Sequence, residues 1–402
     1  MNVGFVGYIS LRRDQFQPID TPDQFYTILE DLTTLNNGEP LHFMQLKALT
    51  PDCQEPSVNA EPDEVAAHRS VIHYGDSLAP MMRYCNSAPG QGRLPWLIAN
   101  PFDWSQVRYQ LPTLDVVIVE STGNVGSSYG MSILIKRLYD LNPRLGVILM
   151  DCDLSAASVN SKIVRLGVPR SQIVLASYGV APRGGYNQTV AIKHHIAYRQ
   201  LPMSSGTDIC YIGNDYDRRD SMRRFFRGPR FHWYGRCKKD FMDEVSELGC
   251  QWHGPCVATP EMSLEMTYHQ HGVGLQISRE QYYKINALTI RASEIIRSGC
   301  VLLVDKRMQI ARPIAGDWGM VEDAEDAVTK ANQLSASTDY HAQIFEFQKQ
   351  AINYWLPREK HAEALWRAAL ALYGGAGLSN WRLNLYEDLC VAAEVTRYVR
   401  SS

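Results

Sequence analysis

The chain has 402 residues, of which 45% are hydrophobic and 21% are charged. This length and composition exclude a disordered or fibrous protein and leave room for two globular domains. The net charge of −3 disfavours a protein that coats nucleic acid nonspecifically, although it permits a local basic surface.

No stretch approaches 18 uninterrupted apolar residues, and the N-terminal sequence MNVGFVGYISLRRDQ reaches charged residues without a small-residue cleavage site. Nine cysteines are scattered along the chain, which fits a reducing compartment better than a disulfide framework. We therefore expect a soluble, cytoplasmic protein without a membrane partner.

The first half of the chain alternates between strand and helix patterns. MNVGFVGYI and LHFMQLKAL are apolar runs that flank TPDQFYTILEDLTTLNNG, a helical pattern with a cap at Thr21 and a terminal Gly38. Further along, the runs LDVVIVES, GVILMDCDL and SQIVLASYG are typical of parallel strands buried on both faces. The helical patterns MSILIKRLYDLNPR and SAASVNSKIVRLGVPR lie between them.

Residues 52–112 interrupt this alternation, because they are rich in Pro, Gly, Ser and Arg, and we expect them to form a long insertion. LPMSSGTD at 201–208 is the best candidate for a linker between domains. We place the N-terminal domain at 1–203 and the second domain at 204–374, with a helix at about 375–402 packing back on the first.

The second half repeats the alternating pattern. DICYIGN and FHWYG predict strands around a basic helix, CVATP and VGLQIS predict two further strands at edges, and ALTIRASEIIRSG predicts a helix that stops at Gly299 before the buried strand VLLVDK. FEFQKQAINYWL and EKHAEALWRAALALYGG predict amphipathic helices. The fold class is α/β, with two doubly wound domains that bind ligands beyond the carboxyl ends of their strands.

The segment YIGNDYDRRDSMRRFF is a candidate phosphate site. A strand leads through a Gly-Asn turn into a helix whose first turns carry Arg218 and Arg219, and backbone N–H groups with arginine forks at such a turn favour an anion. The alternative is a solvated basic helix. From Asp217 to Lys239 the chain has nine basic and two acidic residues with aromatic residues between them, which indicates either a solvated flank or a surface that faces anions.

Three further patterns carry candidate side chains. Arg291 and Glu294 are three residues apart on one helix face, where they either bind a nucleotide or form an ordinary ion pair. Asp151 and Asp153 follow the strand GVILM, where a carboxylate serves either as a general base or as a helix cap. The spacing of Cys250, His253 and Cys256 fits no standard zinc site, and the histidine pairs 194/195 and 269/271 do no better.

Taken in chain order, these stretches resemble the DNA β-glucosyltransferases of T-even bacteriophages, GT-B enzymes that transfer glucose from UDP-glucose to 5-hydroxymethylcytosine in duplex DNA. The similarity is strongest in CVATPEMSLEMTYHQHGVGLQISREQYYKINALTIRASEIIRSGCVLLVDKRM. It continues in YIGNDYDRRDSM and in the C-terminal helices, whereas residues 52–112 have no counterpart. The resemblance implies a GT-B fold, with two Rossmann-like domains facing across a cleft and additional C-terminal helices.

The resemblance also implies roles for individual residues. It places Tyr283, Arg291 and Glu294 on the uridine nucleotide, with Glu294 on the ribose. It places Gly213, Asn214 and Arg219 on the diphosphate; the family has a further arginine where this chain has Tyr216, so Arg218 is an additional candidate. The catalytic base is Asp151 or Asp153, with Asp151 favoured, and the nearest match to the family's sugar-binding acid is Asp23.

The expected activity is therefore inverting transfer of a sugar from a UDP-sugar, with UDP-glucose the first candidate, to the hydroxymethyl group of 5-hydroxymethylcytosine or 5-hydroxymethyluracil in double-stranded DNA. Mg²⁺ is a candidate ion, although no metal cage is visible in the sequence. We expect a monomer in the cytoplasm of a phage host. The alternatives are a GT-B enzyme with a glycan, protein or small-molecule acceptor, and a non-catalytic module that binds nucleotide sugar or DNA.

Overall fold

A computed structural model of the chain describes residues 1–7, 31–39, 41–45, 97–98, 113–121, 132, 135–151, 156–177, 189–191, 200–255, 264–284, 288–289, 291–356 and 358–375. The described residues form two compact units. The first contains residues up to 177, residues 189–191 and residues 359–375, and the second contains residues from 200 to 358.

The first unit is built on a seven-stranded sheet in which every neighbouring pair is parallel. Its strands are β1 (Val3–Gly7), β2 (His42–Gln45), β3 (Leu97–Ile98), β4 (Val116–Ser121), β5 (Gly146–Asp151), β6 (Ile173–Ser177) and β7 (Thr189–Ala191). Helical residues 31–35 (α1), residues 135–141 (α2) and Ala156–Arg165 (α3) separate them. The apolar runs of the sequence become β4, β5 and β6, as predicted.

The core of this unit explains why the central residues of those runs are apolar. Val117 and Val119 of β4 and Val147 and Leu149 of β5 are fully buried in one cluster with side chains from α2 and α3. A parallel strand at the centre of a doubly wound sheet is covered on both faces, so neither face of the strand favours polar side chains.

The second unit has a six-stranded parallel sheet. Its strands are β8 (Asp208–Ile212), β9 (Phe231–Tyr234), β10 (Gln251–Trp252), β11 (Gly272–Gln276), β12 (Val301–Asp305) and β13 (Met320–Val321). Its helices are α4 (Arg219–Phe225), α5 (Lys239–Leu248), α6 (Leu264–His269), α7 (Glu280–Lys284), α8 (Arg291–Arg297), α9 (Arg312–Gly319), α10 (Ala324–Ala336) and α11 (Thr338–Trp355).

One strand differs from the prediction in position. VGLQIS was expected at an edge, but its strand β11 lies in the middle of the sheet between β8 and β12. All five residues of β11 are buried, including the polar Gln276, whose amide donates to Thr289 Oγ1 at 3.0 Å. The hydrogen bond of the Gln276 amide nitrogen reduces the cost of placing a polar residue in a central strand, although the amide oxygen has no partner among the described residues. The predicted strand CVATP lies outside the described residues.

The last described helix is α12 (Arg358–Tyr373). The sequence analysis assigned these residues to the second domain, whereas the structure groups residues 359–375 with the first unit. The reason is local packing: a Cβ added to Gly146, at the start of β5, would lie 2.7 Å from Leu372 Cβ. The expected helix at about 375–402 lies outside the described residues from 376 onward. Among the helices that the structure describes, none is long and apolar enough to cross a membrane.

The two sheets share one strand order. The first runs β3-β2-β1-β4-β5-β6-β7 and the second runs β10-β9-β8-β11-β12-β13. In the first sheet, β2 and β3 lie on one side of β1 and the later strands lie on the other side, so the order reverses between β1 and β4. In the second sheet, the order reverses in the same way between β8 and β11. Doubly wound sheets bind ligands in the crevice beyond the carboxyl ends of the strands at this reversal. In the second unit that crevice lies beyond Ile212 and Gln276.

Candidate functional site

The predicted phosphate turn lies at this crevice of the second unit. Gly213 directly follows β8, and its N–H donates to the carbonyl of Tyr234 at 2.8 Å while its own carbonyl accepts from Trp233 Nε1 at 2.7 Å. A Cβ at position 213 would lie 2.4 Å from the hydroxyl oxygen of Tyr211. Only glycine fits without displacing that side chain, so the backbone closely approaches the buried hydroxyl.

Asn214 and Arg218 hold the next part of the turn. The Asn214 side-chain oxygen accepts from the Arg236 backbone N–H at 2.9 Å, which ties the turn to the end of β9. Arg218 Nη1 donates back to the Asn214 carbonyl at 3.1 Å. The guanidinium of Arg218 is therefore held against the turn.

Arg219 points to a different set of partners. Its Nε and Nη2 donate to Asp215 Oδ2 at 3.1 and 2.9 Å, and Nη1 and Nη2 donate to the carboxylate of Asp240 at 2.8 and 2.7 Å. Asp215 is almost fully buried, and the guanidinium lies 5.0 Å from the centroid of the Phe241 ring. In this arrangement Arg219 joins the start of α4 to α5, and its predicted contact with the diphosphate stays a prediction.

Three other arginines lie near the strand ends that form this crevice. Burial raises the pKa of Tyr211, and the positive charges of Arg218, Arg291 and Arg279 act in the opposite direction. Because Arg218 follows β8, Arg279 follows β11 and Arg291 begins α8, they reach the crevice from both sides of the strand reversal.

Arg279 was missed by the sequence analysis. It lies three residues beyond the last residue of β11 and its guanidinium carbon lies 5.2 Å from the ring centroid of Tyr216. Tyr216 also lies 5.4 Å from Lys238 Nζ. The rule that ligands bind beyond the carboxyl ends of strands could have identified Arg279, had VGLQIS been placed at the centre of the sheet.

Several polar atoms of the crevice lack partners. Within the part of the chain that the structure describes, Arg218 Nε, Arg279 Nε and Ser278 Oγ are buried and make no hydrogen bond. A buried polar atom without a partner costs about 1–3 kcal/mol, so such atoms are uncommon unless a ligand or solvent satisfies them. Three of them beside one strand reversal indicate a binding site for a polar, anionic ligand.

Arg291 and Glu294 form the ion pair that the sequence analysis gave as the alternative to nucleotide binding. Arg291 Nη1 contacts Glu294 Oε2 across one turn of α8, and Glu294 is 6% exposed. Burial raises the pKa of Glu294, Arg291 acts in the opposite direction, and Glu265 reinforces the rise. The pair thus places one positive and one negative group at the start of α8, and their roles toward a nucleotide stay predictions.

Tyr283 is fixed at the carboxyl ends of β11 and β12. Its hydroxyl donates to Asp305 Oδ2 at 2.8 Å and accepts from the Ser278 backbone N–H at 2.9 Å. The guanidinium carbon of Arg307 lies 3.9 Å from the Tyr283 ring centroid, and Arg307 Nη2 also donates to Asp305 at 3.0 Å. Burial raises the pKa of the Tyr283 hydroxyl, which therefore stays protonated. Its predicted contact with the uridine stays a prediction.

The basic segment 217–239 is more neutral than its composition indicates. Four of its arginines are paired with carboxylates: Arg219 with Asp215 and Asp240, Arg223 with Asp220 and Glu244, Arg224 with Asp305, and Arg230 with Asp208. The exposed cations just beyond β9 are Arg236, Lys238 and Lys239. A surface of this segment that binds anions would therefore use only part of its basic residues.

The predicted catalytic acids belong to the first unit. Asp151 is the last residue of β5, where its backbone pairs in register with Ser121 of β4. This places position 151 at the carboxyl edge of the sheet, as predicted. Asp153 and Asp23 lie outside the described residues, and the roles of all three stay predictions.

Comparisons with known proteins agree with this architecture. No protein-family model matches the sequence, and no curated protein matches it. Among solved structures, T4 phage β-glucosyltransferase in complex with its UDP-glucose substrate matches with a TM-score of 0.57 at 12% identity, over 92% of this chain and 99% of that chain. The same enzyme with UDP and Mn²⁺ gives a TM-score of 0.56 at 12% identity over the same shares.

A further match is a structure of β-glucosyltransferase, described as a DNA modifying enzyme, with and without uridine diphosphoglucose. It has a TM-score of 0.52 at 11% identity and covers 92% of this chain and 99% of that chain. Identity this low carries information about the fold and not about the substrates. The resemblance found in the sequence is therefore confirmed at the level of architecture, and the chain has the GT-B fold of these glycosyltransferases.

Proposed function

We propose that the protein is a glycosyltransferase that moves a sugar from a UDP-sugar to the hydroxymethyl group of a modified pyrimidine in double-stranded DNA. The observation that carries this proposal is the crevice beyond β8 and β11, where Arg218, Arg279 and Arg291 act electrostatically on the buried Tyr211. Among the described residues, buried Nε atoms of Arg218 and Arg279 lack hydrogen-bond partners there. The similar T4 structures bind UDP-glucose, which makes UDP-glucose the first candidate donor.

The arginines supply the electrostatic part of the reaction. As the bond between the sugar and the diphosphate breaks, negative charge accumulates on the departing UDP, and fixed cations that already face that position lower the barrier. We assign this role to Arg218, Arg279 and Arg291. The absence of a side chain on Gly213 lets the turn pack against the Tyr211 hydroxyl, which holds the backbone of the turn at the crevice where we place the diphosphate.

The contact between Tyr216 and Arg279 supports this assignment. The resembled family has an arginine where this chain has Tyr216. In this chain the guanidinium of Arg279 lies over the Tyr216 ring. A cation that follows β11 therefore lies beside the position where the family has an arginine. Arg219, which donates to Asp215 and Asp240, then supports the turn and contributes less to the diphosphate than the sequence analysis expected.

The remaining donor contacts follow from the pair on α8 and from Tyr283. Glu294 accepts hydrogen bonds from the ribose hydroxyls, since a carboxylate can accept both hydrogen bonds that a diol donates. Tyr283, held by Asp305 and Ser278, borders the base of the nucleotide. Asp23 contacts the sugar.

The transfer step needs a base in the first unit, and we assign it to Asp151 or Asp153. The carboxylate takes the proton of the hydroxymethyl group while the oxygen forms a bond to the anomeric carbon, and the bond from that carbon to the diphosphate breaks to release UDP. Attack from the side opposite the leaving group inverts the configuration. The pyrimidine becomes accessible by extrusion from the duplex, the route that base-modifying enzymes use.

Mg²⁺ stays a candidate ion. Within the described ranges, the group of three potential protein ligands lies at the opposite ends of the strands and not at this crevice. Mg²⁺ commonly binds through substrate phosphates with one or two carboxylates, so the diphosphate of the donor would supply most of its protein-independent ligands.

Mass spectrometry of hydroxymethylated duplex DNA incubated with the protein and a panel of UDP-sugars tests the proposal. A mass increase of one sugar on 5-hydroxymethylcytosine or 5-hydroxymethyluracil, with release of UDP, is the expected result, and the mass identifies the sugar. Donor-dependent transfer to a glycan or protein, with none to DNA, would contradict the acceptor. UDP binding without turnover on any acceptor would instead indicate a binding module.

A further inference from the structure

A second cluster of polar side chains lies at the amino ends of the strands in the second unit, away from the donor crevice. Asp208 is the first residue of β8, His232 is the second residue of β9, and His271 immediately precedes β11. These three strands are neighbours in the sheet. One potential ligand atom from each of the three side chains lies within 4.8 Å of the others.

The strand register explains how Asp208 and His232 meet. Cys210 pairs with His232 in the parallel ladder, and Cys210 is two residues beyond Asp208. Alternate residues of a strand share a face, and register partners of adjacent strands do so too, so the side chains of Asp208 and His232 lie on one face of the sheet.

His271 joins them through Gly272. Gly272 has φ of +83°, and a Cβ there would lie 1.9 Å from the carbonyl oxygen of Gly206. Only glycine fits this backbone, which turns the chain just before β11. The His271 ring then lies with its centroid 4.1 Å from that of His232.

Outer contacts hold both imidazoles in place. His232 Nδ1 lies 3.1 Å from His253 Nε2, which leaves His232 Nε2 facing Asp208 Oδ2 at 3.7 Å. His271 Nε2 lies 3.1 Å from the Tyr234 hydroxyl, which itself accepts from Gln270 Nε2 at 3.1 Å. A hydrogen bond to the second ring nitrogen is the usual way in which proteins orient a metal-binding histidine.

The carboxylate of Asp208 also presents one of its oxygens to the cluster. Arg230 Nε lies 3.2 Å from Asp208 Oδ1, so the other carboxylate oxygen remains toward His232.

We propose that Asp208, His232 and His271 form a binding site for Zn²⁺, with water as the fourth ligand and His253 as the outer partner of His232. Two imidazoles and a carboxylate suit zinc better than Mg²⁺ or Ca²⁺, which prefer oxygen ligands alone. Zinc–nitrogen bonds of about 2.0–2.1 Å place tetrahedral ligand atoms roughly 3.4 Å apart. Side-chain movements of about 1 Å would therefore bring the three ligand atoms to zinc-binding distance. Asp208 is half exposed, which gives the ion a route from solvent.

The site has a structural role in this arrangement. It joins the amino ends of three neighbouring strands, whereas the donor crevice lies at their carboxyl ends. Zinc bound only by the folded chain raises the free energy of unfolding by mass action. UDP binding should therefore be the same with and without zinc, and the thermal midpoint should not.

The test uses the full chain, stripped of metal with a chelator and then titrated with Zn²⁺ by calorimetry and with Co²⁺ by absorption. We expect one equivalent of Zn²⁺, a higher thermal midpoint, and the intense visible bands of tetrahedral Co²⁺. His232→Ala and His271→Ala should each abolish these bands. His253→Ala should weaken zinc binding about 10–100-fold, as loss of an outer partner does.

Two further variants keep the test decisive if a histidine variant fails to fold. Asp208→Asn keeps a group that Arg230 can bind and removes the anionic ligand, so it should lower zinc affinity in a folded protein. Cys250→Ser is the matched control, since Cys250 is a free cysteine of the same unit and a thiol is itself a zinc ligand. Absence of zinc binding by the wild type would overturn the proposal, as would unchanged affinity in Asp208→Asn together with loss in Cys250→Ser.

Discussion

At the scale of single residues, the arginines at or near the crevice beyond β8 and β11 are of two kinds, which differ in whether their donors are paired. Arg218 and Arg279 each have a buried Nε without a hydrogen-bond partner in the described part of the chain, whereas all three nitrogens of Arg219 donate to carboxylates. Because the first kind has an unused donor and the second kind is fully paired, substituting the first should weaken UDP binding, and substituting the second should lower the free energy of unfolding.

Arg279→Ala should weaken UDP binding. A hydrogen bond to a charged group contributes about 1.5–3 kcal/mol, so we expect a loss of roughly 10-fold to 100-fold in affinity. Isothermal titration with UDP measures it. Arg227→Ala removes an exposed arginine whose Nε donates to the Arg223 carbonyl, and it serves as the matched control that should bind UDP normally. Equal affinities of the two variants would refute the role given to Arg279.

Arg219→Ala should destabilise the fold more than it weakens UDP binding. It leaves the carboxylate of Asp215, which is 2% exposed, without its guanidinium partner, and such a change costs about 1–3 kcal/mol. Arg223→Ala is the control: it lies on the same helix and near the same Phe241 ring, but its partners Asp220 and Glu244 are exposed. Exposed pairs contribute less than about 1 kcal/mol. Urea denaturation of the two variants distinguishes these costs.

Glu294→Gln should make the ligand-free protein more stable at high pH. Burial raises the pKa of Glu294 in the folded chain, so the folded state holds the proton more tightly than the unfolded state. Ionisation then weakens the fold as pH rises above the unfolded value of about 4.3, and the glutamine variant avoids this loss. The thermal midpoint of the variant should exceed that of the wild type at pH 8, and the difference should vanish below pH 4.

The same variant should bind UDP more weakly, because the amide accepts fewer hydrogen bonds from the ribose. Glu325→Gln, at an exposed position in the first turn of α10, should change neither the pH profile nor UDP affinity. A Glu294→Gln protein that is less stable than the wild type at pH 8 would show that the ion pair with Arg291 outweighs the burial of the charge.

At the scale of elements, the turn after β8 depends on one glycine. A Cβ at Gly213 would lie 2.4 Å from the Tyr211 hydroxyl oxygen and 2.8 Å from its ring carbon Cζ. Gly213→Ala should therefore displace the turn and lower UDP affinity. Adding Tyr211→Phe removes the nearer atom and should restore part of the affinity. A double variant that binds UDP no better than Gly213→Ala would contradict this steric explanation.

Most elements could be predicted from the sequence because their signal is local. The strands β4, β5, β6 and β12 are apolar up to their last one or two residues, as the buried part of a strand covered on both faces must be. Strand order is a long-range property, so the central place of β11 was missed and Arg279 with it. The cluster of Asp208, His232 and His271 was missed for the same reason: each residue lies in or just before a different strand, and only the order and register of those strands bring them together.

At the scale of the whole molecule, the net charge of −3 is compatible with a DNA substrate because the positive charge is local. Arg219, Arg223, Arg224 and Arg230 are paired with acids, and this pairing leaves the exposed Arg236, Lys238 and Lys239 beyond the carboxyl end of β9. A small number of phosphate contacts gives weak binding, which suits an enzyme that must release a modified duplex and move along it.

The affinity for hydroxymethylated duplex DNA should therefore fall only gradually as the salt concentration rises. In a plot of the logarithm of the affinity against the logarithm of the salt concentration, each phosphate contact contributes about −0.9 to the slope. Replacing Arg236 and Lys239 with alanine should reduce that slope by roughly 2, while Arg227→Ala leaves it unchanged. Fluorescence anisotropy over a range of salt concentrations measures the slopes. Slopes that are the same in all these proteins would place the duplex on another surface, even if UDP binding follows every expectation above.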